Sequence, residues 1–355
     1  MPETPAADCW FLTGPTAAGK TDVGIELARR LGAEIVSLDS MALYRGMDIG
    51  TAKPTAEQRA AVPHHLVDVI EPHEEYSLAR YLDEAGRCVA EIRGRGREAL
   101  FVGGTPLYLK GLLRGIFEGP PAARRLRRAL REEAERDGPE ALHRRLARLD
   151  PAAARRLHPN DLKRIIRALE VYQTTGRPIS ELQRQFDAGR PADQCRVFVL
   201  DRPRPELHER INRRVDLMFA AGLIEEVRGL QQGWGSAGGR ETAPSSQSEN
   251  CIGRKGTAPF SQSKNWESPR PPLSRTARQA VGYREVIEHL RGERGLAETV
   301  ELVKRHTRQM AKRQMTWFRS LSECRFVAVE GNLKPAAVAA QIGDLGFHRD
   351  PIGLE

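Results

Sequence analysis

Gly14, Pro15, Thr16, Ala17, Ala18, Gly19, Lys20 and Thr21 satisfy G-x-x-x-x-G-K-[ST], a pattern whose chemistry is the cradling of a phosphate chain. Glycines at 14 and 19 let backbone N–H groups converge on phosphate oxygens, and the N-terminus of a following helix adds partial positive charge. Lys20 supplies a mobile cation, and the Thr21 hydroxyl can ligate Mg2+. Asp39, within DSMALYRGMDIGTAKP at 39–54, is the second group of interest. A carboxylate there could take a proton from a nucleophile arriving over the phosphates, or it could cap a helix beginning after Ser40, and residue chemistry alone supports both. No apolar strand ending in Asp or Glu suits a Walker B role downstream, and no arginine-finger pattern follows, so nucleotide hydrolysis is disfavoured.

These residues need elements to hold them. Residues 8–13 form a short apolar run, and 22–31 place Val23, Leu27 and Leu31 at helical spacing before Gly32, a natural stop, so the motif reads as strand, loop, helix. Residues 34–38, 99–102 and 196–200 read as further strands and 206–230 as helical. Such alternation predicts an α/β fold, a P-loop NTPase-like parallel sheet flanked by helices. Ligands then sit beyond the carboxyl ends of the strands, which loops 14–21, 39–45 and 103–108 leave. From about Arg124 the chain becomes arginine-rich, with Leu126, Leu130, Leu142, Leu146 and Leu149 on helical stripes. The expected organisation is a core over 1–123, a helical, basic insert over 124–190, more core over 191–232, an insertion over 233–273, core helices over 274–330 and a tail over 331–355. In 233–272, Gly, Ser and Pro supply 18 of 40 residues and apolar periodicity vanishes, which predicts disorder. TAPSSQSEN at 242–250 and TAPFSQSKN at 257–265 match at 7 of 9 positions, a short polar duplication rather than a repeat fold.

Composition narrows the partners. The chain has 355 residues with 56 Lys+Arg against 47 Asp+Glu, a net charge of +9 that favours a polyanion, nucleic acid first. Nothing approaches the ~20 apolar residues of a membrane span, and the N-terminus lacks a secretory pattern, so a cytoplasmic protein is expected. Five scattered cysteines with no metal-ligand spacing predict reduced thiols and neither a disulfide framework nor a structural zinc.

Eight blocks carry a resemblance: GPTAAGKT, DSMALYRGMDIGTAKP, PHHLVDVIEPHEEYS, VGGTPLYLKGLLRG, HPNDLKRIIRALEVYQTTGRPIS, RINRRVDLMFAAGLIEEV, QAVGYRE and TRQMAKRQMTWFR. Together, and in this order, they closely resemble the bacterial tRNA dimethylallyltransferases, also called tRNA isopentenyltransferases. The resemblance runs from Phe11 to Arg319, interrupted only by 233–272. It implies a monomer that transfers a dimethylallyl group from dimethylallyl diphosphate to N6 of the adenosine 3′ of the anticodon, in tRNAs reading codons that begin with U. It implies Asp39 as general base, Thr105 near the reacting centre and Arg214 on the diphosphate, with Arg210 and Arg213 as rivals, and Mg2+ on Thr21. For the anticodon stem-loop it implies contacts from Asp39, Ser40, Met41, Ala42 and Thr105; from Lys163, Arg164, Ile165, Ile166 and Arg167; from Gln279, Ala280, Val281, Gly282, Tyr283 and Arg284; and from Lys312, Arg313, Gln314, Met315, Thr316, Trp317, Phe318 and Arg319. Ala42 stands where many members carry Gln, and Pro106 where many carry Gly; neither replaces an essential functional group.

Two other readings share some of these features. A small-molecule kinase would use the P-loop with ATP and would not need the basic insert. A noncatalytic tRNA-binding protein would tolerate Asp39→Ala without consequence. Deleting 233–272 is expected to leave melting temperature and activity largely intact; a collapsed melting temperature in a thermal scan would show that the segment is part of the fold.

Overall fold

The computed structural model describes residues 6, 8–117, 119–120, 123–184, 189–232 and 272–347. Most of the Gly/Ser/Pro-rich insertion lies outside these. Leu273 does not: it is buried, and Ser274 N donates to Pro72 O at 2.8 Å, so the folded chain resumes at least one residue earlier than composition indicates.

The chain divides into two units, Met1–Leu113 with Arg190–Glu355, and Arg114–Gly189. The first is built on a six-stranded parallel sheet in the order β3-β2-β4-β1-β5-β6: β1 Trp10–Thr13, β2 Ala33–Ser37, β3 His64–His65, β4 Glu98–Val102, β5 Val197–Asp201 and β6 Cys324–Ala328. Period-2 alternation sorts its side chains. Trp10, Leu12, Ile35, Leu100, Phe198, Leu200 and Val327 pack on one face beneath α1 (Lys20–Leu31), while Phe11, Val36, Phe101, Val197 and Val199 pack on the other. That second face is covered by α3 (Leu78–Gly94) and α4 (Pro106–Arg114), which follow the short α2 (Ala56–Ala61). α1 ends where its sequence says it should, with Gly32 at φ 61 donating to Ala28 O and Arg29 O.

The second unit holds α5 (Arg124–Asp137), α6 (Pro139–Leu149), α7 (Pro151–Arg156), α8 (Leu162–Thr175) and α9 (Ile179–Leu182) around Leu130, Leu142, Leu146, Ile165 and Leu169. Its interior is fastened by two carboxylates. Glu170 is fully buried and accepts from Ala123 N at 2.8 Å, Arg127 Nε at 2.8 Å and Arg167 Nη1 at 2.6 Å. Burial works against its charge, but the hydrogen bonds from Arg127 and Arg167 prevail and hold its pKa below the usual glutamate range. Asp150 accepts from Ala153 N and Ser180 N, tying α7 to α9.

The chain then returns through β5 to α10 (Arg204–Ala220), α11 (Leu223–Gln232), α12 (Arg275–Arg278), α13 (Tyr283–Leu290) and the long α14 (Leu296–Arg319), and after β6 to α15 (Pro335–Phe347). Two features differ from expectation. Residues 324–328, placed among core helices, are an edge strand paired with β5. Residues 335–347, expected as tail, form a helix packed on α1. An Ala- and Gly-rich run with one strong apolar residue per turn carries little hydrophobic signal. Its small residues are what let it approach, since a Cβ on Gly346 would lie 2.1 Å from the Trp10 ring. Gly346→Ala should therefore cost about 1–3 kcal/mol through overpacking and lower the melting temperature; an unchanged melt would mean that α15 does not sit on Trp10.

Candidate active site

β1 ends at Thr13, and the chain turns through Gly14 (φ 145), Ala17 (φ 64) and Gly19 (φ 101) before α1 begins at Lys20. Ala17 holds a left-handed conformation that costs a non-glycine residue about 1–2 kcal/mol. Its neighbours hold it there, because Arg210 Nε donates to Ala17 O at 2.9 Å. Gln314 Oε1 accepts from Thr16 N at 2.9 Å, and its Nε2 donates to Gly104 O at 2.6 Å, so one amide from α14 braces the loops after β1 and β4 together. Lys20 Nζ folds back to donate to Pro15 O at 2.8 Å, and Arg214 Nη1 lies 3.4 Å from Thr16 Oγ1.

Asp39 follows β2. No helix starts after Ser40; residues 40–43 form turns, and the capping alternative is realised as backbone bonds to the Asp39 carboxyl, from Met41 N to Oδ1 at 2.8 Å and from Ala42 N. Thr105 stands opposite: its N donates to Leu38 O at 3.1 Å and its Oγ1 accepts from Ser40 N at 3.1 Å. Gly103 permits this meeting of the β2 and β4 ends, since a Cβ there would lie 2.2 Å from Leu38 O. The stretch after Asp39 is anchored from behind. Glu226 of α11 accepts from Asp48 N at 2.9 Å, Ile49 N at 2.7 Å and Tyr283 Oη at 2.6 Å, and buried Lys53 donates to Tyr44 O, Asp48 and Asp68.

The result is a cleft of about 260 Å³ beyond the carboxyl ends of the strands, lined by Lys20, Thr21, Asp39, Thr105, Arg210 and Arg214, with Met41, Ala42, Val215, Met218, Ala280 and Met310 as apolar wall. Its charges are in tension. Burial, then the neighbouring Arg214, push the Lys20 ammonium down to about 8, with Asp39 pulling it back. Burial, then Arg210, lower Arg214 as well. Burial raises Asp39 against the Met41 hydrogen bond and the attraction of Lys20. A di-anion placed on the loop would relieve the cationic repulsion, whereas Asp39 is left as a carboxyl poised nearer neutrality than usual. The donor set also fits Mg2+. No group of three or more His, Cys, Asp or Glu forms a metal cage among the described residues, but one hydroxyl such as Thr21 beside a phosphate site suffices for an ion that keeps waters and takes phosphate oxygens.

Of the arginines competing for the phosphates, Arg214 and Arg210 reach the cleft and Arg213 points to solvent. Several residues placed on tRNA are corrected by burial. Ala280, though nearly buried, keeps a place in the cleft wall, but Ile165 and Ile166 lie in the core of the helical unit and Arg167 is held by Glu170; Tyr283 and Phe318 are fully buried, and Met315 is nearly so. An apolar stripe packs inward wherever its helix has a core to face, so these side chains support the surface rather than form it. Exposed instead are Lys163 and Arg164 of α8, Gln279 and Arg284, and Lys312, Arg313, Thr316, Trp317 and Arg319 of α14. Gln314, expected on tRNA, braces the P-loop. Lys53 and Glu226 have roles that sequence reasoning missed; a lone charge in a mostly apolar stretch was the only signal that could have flagged them. No helix among the described residues is long and apolar enough to cross a membrane.

Comparison with known proteins points one way. The family described as IPP transferase matches residues 42–321, and one described as Isopentenyl transferase matches 7–63. The chain is 44% identical over 326 residues to the tRNA dimethylallyltransferase of Rhodopirellula baltica, covering 90% of this chain and 87% of that one. Among solved structures it resembles the tRNA isopentenylpyrophosphate transferase of Bacillus halodurans, at 33% identity and TM-score 0.62 with 96% of each chain covered. It also resembles a eukaryotic dimethylallyltransferase acting on tRNA, at 25% identity and TM-score 0.70, over 95% of this chain and 77% of that one.

Lys20 is cationic below about pH 8 and loses its proton above it. Calorimetric titration with inorganic diphosphate should therefore show affinity falling as pH rises through and beyond that value. Lys20→Arg, which keeps its charge, should flatten the step; an identical step in that variant would mean that another group titrates.

Proposed function

The chain belongs to the IPP transferase family, and from that membership we propose how its own residues move a dimethylallyl group from dimethylallyl diphosphate to N6 of the adenosine 3′ of the anticodon, in tRNAs reading codons that begin with U. The observation that carries the reading is the convergence in one cleft of an anion cradle (Gly14 to Thr21 with Arg214 and Arg210) and a carboxyl group with raised pKa, Asp39, across from it.

The reaction breaks the allylic C–O bond of the diphosphate and forms a C–N bond to adenine. Negative charge grows on the leaving diphosphate, and the P-loop N–H groups, Lys20 and Arg214 are fixed where that charge develops, with little reorganisation left to make. Mg2+ bound through Thr21 would add charge neutralisation on the phosphates. The exocyclic amine is a weak nucleophile that sheds a proton as it attacks, and the Asp39 carboxylate accepts it. Thr105, fixed by its backbone bond to Leu38 O and side-chain bond from Ser40 N, presents its hydroxyl beside Asp39 to orient the amine or a phosphate oxygen. A base leaves the anticodon loop to reach this depth, a cheaper step from a single-stranded loop than from a duplex. The apolar wall of Met41, Val215, Met218 and Met310 keeps water from the allylic carbon. Exposed basic residues on α8 and α14 suit phosphate contacts, and half-exposed Trp317 offers an aromatic face for stacking.

Incubating the protein with unmodified tRNA, dimethylallyl diphosphate and magnesium, followed by nucleoside mass analysis, should show a gain of one C5H8 unit on adenosine. Asp39→Ala should lower turnover by about 10²–10⁴ with tRNA affinity barely changed; an equal loss of affinity would assign Asp39 to placing the base instead. Because burial raises Asp39, the acid limb of kcat/KM should lie above the ordinary aspartate range, activity falling as pH drops through it. An acid limb at the usual carboxylate value would count against this role.

A further inference from the structure

Beside the cleft lies a second, open cavity of about 340 Å³ on the surface of α12 and α13, lined by Arg275, Arg278, Gln279, Arg284, Glu288 and Arg291. Four guanidinium groups converge there. Arg284 is tied to buried Glu285 and to His306, and Arg291 lies 3.8 Å from Glu293. The acid on the rim, Glu288, is already paired with Arg294 at 3.0 Å. Arg275 and Arg278 are exposed and have no carboxylate within ion-pair distance among the described residues. The groove therefore carries uncompensated positive charge, fixed by the buried Ala277, Tyr283, Val286 and Ile287 beneath it.

Its place in the chain matters as much as its charge. Gln279 lines this groove, while the next two residues, Ala280 and Val281, line the active-site cleft. The two linings thus adjoin along the chain between Gln279 and Ala280. We propose that Arg275, Arg278 and Arg291 form a phosphate track for the RNA backbone flanking the modified adenosine. The track binds sugar–phosphate, because exposed arginines spread along an open groove meet the continuous charge of the backbone whatever the sequence. This rests on the tRNA-modifying reading of the cleft.

The test is the salt dependence of tRNA binding by the full-length protein. Removing one arginine–phosphate pairing reduces the slope of log K against log salt by about 0.7–0.9, so Arg275→Ala/Arg278→Ala/Arg291→Ala should lower it by about 2–3. Its KM for tRNA should rise about 10- to 100-fold at 0.15 M salt, and equally for tRNAs of different sequence, with the KM for dimethylallyl diphosphate within about twofold. Arg278→Ala alone, less demanding of the fold, should lower the slope by about one, and Arg29→Ala on α1 should leave it unchanged. An unaltered slope in both groove variants, in protein whose parent prenylates tRNA, overturns the track and leaves the catalytic reading standing. Sequence-selective losses overturn it in favour of base readout. If the parent binds tRNA with a slope that the variants lower but transfers no prenyl group, the track stands and the catalytic reading falls.

Discussion

Placing like charges together away from water governs this molecule. Lys20 and Arg214 are hemmed in at the same loop, with Arg210 behind them, and their lowered pKa values record the cost. A negatively charged ligand on this loop would offset the repulsion between the two cations. Asp22 pulls on Arg214, and Asp39 attracts both Lys20 and Arg214. Its attraction to them falls short of its own desolvation, and it ends with a raised pKa. One electrostatic arrangement thereby sets a cationic loop across the cleft from a carboxyl group held nearer neutrality than usual.

The protein holds that arrangement by bringing the ends of three parallel strands into register. Gly103 N donates to Leu12 O, Leu38 N to Val102 O and Thr13 Oγ1 to Gly103 O, so the tips of β1, β2 and β4 are stitched directly to one another. Gln314 then ties two of the loops leaving those tips to α14. Farther out, the long stretch after Asp39 has little regular structure and is held by charge instead: the buried Lys53 ammonium among Asp48, Asp68 and Tyr44 O, and the half-buried Glu226 carboxylate on consecutive backbone N–H groups. Breaking such pairs leaves an isolated buried charge, which is why a loop built this way keeps one conformation.

The exposed basic residues of α14 follow a different logic. On α14 a single stripe of Val303, Thr307, Ala311, Met315 and Phe318 is buried, and Gln314 on its flank reaches into the site. The opposite face carries Lys312, Arg313, Thr316 and Trp317 into solvent. One helix can therefore brace the loop after β1 and present a basic surface, since 3.6-residue periodicity gives it two independent faces.

The local features of this protein were legible in its residues: the P-loop and its flanking strand and helix, the Gly32 stop, the parallel α/β class and the arginine-rich helical region. Each depends on short-range spacing or on what a glycine alone can do. Edge strand β6 and helix α15 were not legible, because five residues on a sheet edge and an Ala/Gly-rich helix announce themselves only through partners far along the chain. In the site, sequence determined which residue types were available, Lys20, Asp39, Thr105 and a trio of arginines. Tertiary structure chose among them: it turned Arg214 and Arg210 inward and Arg213 outward, drew Gln314 into the cradle and buried Tyr283 against Glu226. The reason is physical, since burial and the charges that come with it depend on distances between segments hundreds of residues apart, and no local pattern encodes those distances.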